Sequence, residues 1–397
     1  MQLKNCRICN KEFTDFINLG KQPCADTFLK SKKKAKNIKK ITLEVGYCNK
    51  CKHMCNINSV SGFRRYQKYD YSYTSNNSPV SRNHFKSMAK KLSKLTNLKK
   101  NEVIVEAGSN DGFFLSEIKK NCKSIVIGVD PSRKMSNIAK GRGIRTINNF
   151  FNLKTAKIIK SKFGFIKLFY AANVLNHVDD INSFIIAIKK ITNTDSLIVI
   201  EVPDLENLIY TDGFDTIYHE HRQYFSLNSL FKIFNEHQLN IIKFEKISYM
   251  SGSVRIYVDH NMKFKKFENK SILNLKRISK FKSNIKKICK IISNKIHELN
   301  KNKKIVICIG AATKGNTLLN CCNLNYKNIK FIFESSIYKI GKYTPGTAIR
   351  IIREKKNLNF DLALILPWNI SSFLIKKFNL KKNFLSIKTV SDTLKNA

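Results

Sequence analysis

Four cysteines near the start of the chain stand in two pairs, Cys6-x-x-Cys9 and Cys48-x-x-Cys51. Two such knuckles present four thiolates tetrahedrally, which is what Zn(II) takes in a closed structural site with no position left for a reacting water. The chain has eleven cysteines, and its first ten residues lack the apolar core of a signal peptide. Its thiols therefore read as reduced, and a tight cluster reads as a metal site ahead of a disulfide. The bland alternative is four bare thiols in a small core. The spacer is longer than a compact ribbon needs and predicts a hairpin or added loop at 19–28, with a lysine-rich tip at 32–40. Cys24 and Cys55 are further thiols close by in sequence.

A second constellation lies mid-chain. Tyr218, Glu220 and His221 bring a phenol, a carboxylate and an imidazole within four residues. An imidazole titrates near neutrality and suits general-base work, a carboxylate can hold its tautomer or raise its basicity, and a phenol can donate to an oxyanion. Taken by themselves, the same residues also fit a polar loop hydrogen-bonded near the surface.

The third is a run at 103–112, Val-Ile-Val-Glu-Ala-Gly-Ser-Asn-Asp-Gly, followed by helical periodicity over 113–119. A buried strand, a Gly-rich turn and a helix form the nucleotide cradle of a doubly wound sheet, and glycine lets backbone approach a ligand closely. A second apolar strand at 125–129 ends in Asp130, about twenty residues beyond the glycines, where an acid accepts hydrogen bonds from ribose hydroxyls. Strands at 165–171, followed by Asn173, and at 196–202 continue the alternation, which implies a parallel sheet. The turn is not G-x-G-x-x-G, which argues against a dinucleotide-binding oxidoreductase.

A similar pattern recurs near the end: a strand at 304–309, a Gly-rich turn and helix start at 310–317, then strands at 330–333 and 361–366. Lys314 and Thr317 at this helix start resemble a phosphate grip and suggest a pyrophosphate or nucleotide contact, since helix N-terminal amides favour anions; the alternative is a purely structural turn. The spacing is not that of a Walker A motif, so nucleotide hydrolysis is not indicated. Trp368 either lines a ligand crevice or anchors a domain interface. Between the two patterns, Ile272, Leu275, Ile278, Phe281, Ile285, Ile288, Ile292 and Ile296 recur at helical spacing among lysines, as an amphipathic helix would require.

These elements need more than one core. At 397 residues the chain divides into two or three domains, here a metal module at 1–70, the first nucleotide fold at 71–262 and the second at 263–397. No apolar run approaches the roughly 18 residues of a membrane helix, so no membrane partner is expected and a cytoplasmic location is the default. The formal charge of +45 raises the question of nucleic acid, but only twelve of the 73 basic residues are Arg. The lysines are spread among abundant Asn and Ile, the residue usage of an AT-rich genome, whereas a groove reader concentrates its positive charge with Arg prominent. The spread charge favours capture of an anionic small substrate over a nucleic-acid role.

In motif order the chain resembles the nucleotide-sugar C-methyltransferases that act on dTDP-4-keto-deoxysugars. The resemblance runs nearly end to end. It rests on the paired C-x-x-C, Leu-Gly-Lys-Gln-Pro at 19–23, Tyr-Ser-Tyr-Thr-Ser at 71–75, Glu-Ala-Gly-Ser-Asn-Asp-Gly at 106–112, Tyr-His-Glu-His at 218–221, Gly-Ser-Val-Arg at 252–255 and Gly-Ala-Ala-Thr-Lys-Gly-Asn-Thr at 310–317. It implies a class I methyltransferase core, α/β and Rossmann-like, with a zinc-binding N-terminal module and a Rossmann-like C-terminal module. Glu106, Gly108, Ser109, Asn110, Asp111, Gly112, Asp130 and Asn173 would then hold S-adenosylmethionine. His221 would be the base, with Tyr218 as enolate stabiliser or proton donor and Glu220 in support. Tyr71, Tyr73, Ser75, His177, Ser253, Arg255, Lys314, Asn316 and Thr317 would contact the nucleotide sugar, dTDP-, GDP- or CDP-linked. The resemblance leans toward a monomer. Ser251, where the family has the first glycine of a Gly-Gly-Ser turn, and Glu334-Ser335-Ser336 in place of Asp-Arg-Asn are departures that bear on substrate identity. Rival expectations are an RNA methyltransferase gripping RNA with its zinc ribbon, a sugar O-methyltransferase, and a non-catalytic scaffold.

Overall fold

The computed structural model describes residues 3–58, 60, 65–66, 74–76, 78–261, 271–355, 359–381 and 383–396. Its strands form three sheets. The N-terminal sheet pairs β1 (Asp15–Gln22), β2 (Ile41–Cys48) and β3 (His53–Asn56) in antiparallel order. Its fourth strand comes from far along the chain: β9 (Gln223–Tyr224) pairs with β3 two residues after His221.

The central sheet is built from β4 (Val103–Ala107), β5 (Ile125–Val129), β6 (Arg145–Ile147), β7 (Leu168–Ala172), β8 (Leu197–Pro203), β10 (Asn240–Ile247) and β11 (Ser253–Asp259). The spatial order is β10-β11-β8-β7-β4-β5-β6, with β11 antiparallel to both neighbours. Strands β4 to β8 run parallel. A parallel sheet covered by helices on both faces has no polar side, which is why 103–107 and 197–202 read as nearly continuous apolar runs. Ile104, Val105, Ile198, Val199 and Ile200 are fully buried.

The third sheet, β14-β13-β12-β15-β16, is all parallel and comprises β12 (Val306–Ile309), β13 (Ile332–Glu334), β14 (Ile351–Arg353), β15 (Leu362–Ile365) and β16 (Phe384–Leu385). The helix Leu275–Lys301 packs Ile278, Phe281, Ile285, Ile288, Ile292 and Ile296 against it, each contributing about 2 kcal/mol of apolar burial. Ile272 and Leu275, predicted on the same stripe, are exposed. The helix begins only after Asn274, whose side chain caps the Arg277 amide at 2.9 Å, so the apolar face starts one turn later than its periodicity. Among the described residues, no helix is long and apolar enough to cross a membrane.

Candidate active site

The four paired cysteines converge. Cys6 and Cys9 lie on the turn before β1, Cys48 ends β2 and Cys51 sits in the turn to β3, and their sulfurs all lie within 4.8 Å of one another. Cys24 and Cys55 stand outside this group. Four sulfurs at that spacing are a tetrahedral donor set for Zn(II), complete without water.

At the C-terminal end of the central sheet, β4 delivers Glu106 and the glycine turn. Gly108 has φ +65°, and a Cβ there would meet Val174 Cγ2 at 2.4 Å; Gly112 has φ +72° and opens the helix Phe113–Asn121. Only glycine serves at both points. Asp130, just past β5, takes the Asn110 amide on Oδ2 at 2.9 Å and the Ser132 amide on Oδ1 at 2.8 Å. Ser75 donates its backbone amide to Asn110 Oδ1 at 3.0 Å, and Asp111 pairs with Arg142 at 3.3 Å. Four buried polar atoms remain without a partner here: Glu106 Oε2, Ser109 Oγ, Asp111 Oδ1 and Asn173 Oδ1. Buried polar groups are rarely left so unless a ligand satisfies them. Burial pushes the Glu106 carboxyl well above its usual range and the Asp130 carboxyl up to about 6.

The imidazole of His221 belongs to the same end of the sheet. Val174, which lies against Gly108, leads into the short turn Leu175–His177, and the His177 and His221 rings sit 4.9 Å apart. His221 Nδ1 is 2.8 Å from the Thr216 carbonyl, which can only accept, so Nδ1 carries the proton. Nε2 is then a lone pair, and the Tyr218 hydroxyl donates to it at 2.7 Å. Burial and the neighbouring His177 hold the His221 pKa well below its ordinary value, so the ring is neutral. Burial, then the charge of Glu220, pushes Tyr218 well up, so it is a phenol and a donor. His177 directs Nδ1 at the Glu220 carbonyl, 2.7 Å away, and burial and Arg65 depress it to about 4. Arg65 ties the site together, donating to the carbonyls of Glu220 (3.0 Å) and His177 (3.3 Å) and to the Asp179 carboxylate, which also holds the fully buried Arg222.

Sequence comparison matches the chain to three domain families in succession: a zinc binding domain at 6–61, a methyltransferase domain at 80–243 and a C-methyltransferase C-terminal domain at 250–383. The C-methyltransferase NovU of Streptomyces niveus is 26% identical over 402 residues, covering 96% of this chain and 93% of that protein. The chain is an S-adenosylmethionine-dependent methyltransferase, similar over nearly its whole length to a C-methyltransferase. Among solved structures, a SAM-dependent methyltransferase from Anabaena variabilis overlays 47% of the chain and 86% of its own at 12% identity, TM-score 0.38. A magnesium protoporphyrin IX methyltransferase from Synechocystis with bound SAM overlays 45% and 79% at 14%, TM-score 0.35.

The enzyme's cofactor is S-adenosylmethionine, and its N-terminal module binds zinc. The cradle fits the cofactor: the Glu106 and Asp130 carboxyls would face a cationic, hydroxyl-rich molecule, and the four unpartnered atoms would meet its donors and acceptors. Other predicted contacts are spent elsewhere. The Glu220 carboxylate turns away from His221 and accepts the amides of Ala25 (3.3 Å) and Asp26 (3.0 Å); the tautomer is held by the Thr216 carbonyl instead. Arg255 lies within β11 and is buried between Glu201 (2.7 Å) and Glu245 (2.9 Å), while Ser253 Oγ donates to the Tyr249 carbonyl. In the C-terminal turn, Asn316 donates to the Ala25 carbonyl at 2.7 Å and Thr317 to the Ile217 carbonyl at 3.2 Å, while Lys314 stands over the Trp368 ring, 4.0 Å from Asp215. These side chains bind other modules, so they are not a free phosphate grip. Tyr71 and Tyr73 lie outside the described residues. Sequence reading missed Thr216 and Arg65: the first acts through its backbone, and the second carries no motif.

Proposed function

We propose that the enzyme methylates the carbon beside the ketone of a nucleotide-linked keto-deoxysugar. The observation that carries this reading is the neutral His221, its Nδ1 proton fixed on Thr216 and its Nε2 lone pair turned to Tyr218. S-adenosylmethionine supplies an electrophilic methyl, so the protein must generate a carbanion equivalent and align it. A ketone entering the site would draw the Tyr218 hydroxyl off Nε2 and onto its own oxygen. That single exchange frees the base and positions a donor at the developing enolate. The proton leaves the sugar carbon for His221 Nε2, the electron pair attacks the methyl carbon, and S-adenosylhomocysteine departs.

The nucleotide end has room between modules. A groove of about 900 Å³ runs between the central and C-terminal modules, lined by Lys246, Lys388 and Lys395, by Ser248 and Ser371, and by Tyr210. Its size is in the range of ligand clefts; Asp204 and Asp392 also line it and Lys246 is paired with Glu206 at 3.2 Å, so Lys388, Lys395 and the hydroxyls are the groups that suit a diphosphate.

The test is incubation with methyl-labelled cofactor and dTDP-, GDP- or CDP-linked 4-keto-deoxysugars, read by mass spectrometry. A parallel reaction in deuterium oxide without cofactor follows deuterium entry at the sugar carbon. Methyl gain on carbon and deuterium entry are both expected, and both should fall by roughly 100- to 10,000-fold in His221→Ala. Methyl transfer to a hydroxyl with no deuterium entry, or to RNA, would defeat the reading.

A further inference from the structure

The Thr216 carbonyl that fixes the His221 tautomer sits in a short turn, Phe214–Thr216, and the C-terminal module grips that turn from three sides. Trp368 donates its indole N–H to the Asp215 carboxylate, at 2.9 Å from Oδ2 and 3.1 Å from Oδ1, and both partners are buried. The same ring closes over Gly213, where an added Cβ would stand 3.2 Å from it. Thr317 donates to the Ile217 carbonyl. Lys314 lies 4.0 Å from Asp215 and 3.9 Å over the Trp368 ring, and donates to Ser251 Oγ at 2.9 Å. Residues 215 and 217, on either side of the carbonyl, are thus each held by a hydrogen bond from another module.

An imidazole has two tautomers of similar intrinsic energy, and the partner of one nitrogen decides which is present. A carbonyl that drifts from Nδ1 lets the proton move to Nε2, where the base would be lost. A misplacement of about 1 Å in such a support can cost on the order of 100-fold in rate.

We propose that Trp368 is a positioning residue for the reaction: through Asp215 it holds the turn whose Thr216 carbonyl keeps the His221 proton on Nδ1, so the C-terminal module sets the base as well as framing the substrate groove. This rests on His221 being the base, as proposed above. Neither Trp368 nor Thr317 touches the imidazole; Trp368 also lines the groove, so a loss there through substrate contact would appear in KM, whereas a loss through the turn appears in deuterium entry and the His221 tautomer.

The test uses the full-length enzyme and Trp368→Phe, which keeps an aromatic ring but removes the indole N–H together with part of the ring that lies over Gly213 and under Lys314. Three quantities are read: cofactor affinity by calorimetry, deuterium entry at the sugar carbon, and the 15N shifts of the His221 ring, assigned by difference from His221→Ala. The expected result is unchanged cofactor affinity, deuterium entry slowed about 10- to 100-fold, a matching fall in kcat with little change in KM, and partial transfer of the His221 proton from Nδ1 to Nε2. Asp215→Asn, which keeps an acceptor for the indole, should recover most of the exchange rate lost in Asp215→Ala. If Trp368→Phe binds cofactor normally and leaves exchange and the 15N shifts as in the parent, the inference is overturned while the role of His221 stands. If His221→Ala itself retains exchange, the reading beneath it has failed first. Should Trp368→Phe not bind cofactor, Thr317→Val, which loses one hydroxyl bond to the same turn, decides by the same readouts. A slowing of about threefold or more with a tautomer shift supports the inference, and no change in either overturns it.

Discussion

The molecule contains the same strand, glycine turn and helix twice, and the two copies do different work. In each, an acid at the end of the neighbouring strand reaches back to the turn: Asp130 takes the Asn110 amide, and Glu334 takes the Ala311 amide at 2.8 Å. In each, a glycine with positive φ is crowded by the second residue beyond the strand on the other side, Val174 at Gly108 and Pro367 at Gly310. The contrast lies in the polar side chains. The first turn leaves Glu106, Ser109 and Asn173 with unpartnered atoms, whereas the second commits Thr313, Lys314, Asn316 and Thr317 to Asp26, Ser251, Ala25 and Ile217. We therefore read the shared backbone motif as a cofactor cradle in the first copy, while in the second its side chains dock the other modules. Hydrogen-bond accounting separates the two where fold alone does not.

The largest test of that contrast is metal removal. Stripping zinc, or Cys48→Ser, should cost about 4 kcal/mol or more, the linkage value for a ligand at a thousandfold its Kd. Because the second turn bonds to residues 25 and 26, its amides at 310–317 should lose hydrogen-exchange protection well before those at 106–112. Equal loss at both would break the distinction. Next come the glycines. Gly108→Ala should weaken cofactor binding roughly 10- to 100-fold as its methyl and Val174 push into the cradle, an overpacking of about 1–3 kcal/mol. Gly310→Ala should instead lower stability by about 1–3 kcal/mol, the strain of a left-handed residue, with cofactor affinity intact by calorimetry.

The smallest effect is a pH dependence. Burial raises Asp130 from 3.8 to about 6, so below that value the group is protonated and loses half its acceptor capacity toward ribose hydroxyls. Cofactor affinity should fall a few-fold as the pH drops from 7 to 5, and the slope should flatten in Asp130→Asn. His221 and His177 are shifted the other way, below 6.5, His177 to about 4, so their protonation runs opposite in sense to the Asp130 shift and Asp130→Asn separates the two.

Much of this was legible in the chain. Apolar runs bounded by glycine or polar residues located β4, β5, β7 and β8 to within a few residues, because a strand buried on both faces admits few other residue types. The Cys pairs and the Tyr218 and His221 pair were legible because side-chain chemistry carries them. The failures share a cause. Glu220, Arg255, Lys314, Asn316 and Thr317 carry polar groups suited to a ligand, and the structure gives those groups to other parts of the same chain. Which partner a buried polar group finds is a tertiary fact, and no local pattern records it. The clamp on Thr216 was hidden for a further reason: its functional atom is a main-chain oxygen, which every residue has.

The loop at Ala25 and Asp26 has a consequence for how this enzyme can change. Its two amides are bound by the middle of the chain, while its carbonyl and carboxylate are bound by helix Thr313–Cys321. Three modules that look interchangeable on a domain map thus hold one dipeptide in common. An exchange of any one of them for a cousin's must carry matching partners for that dipeptide, so the trio is inherited as a set.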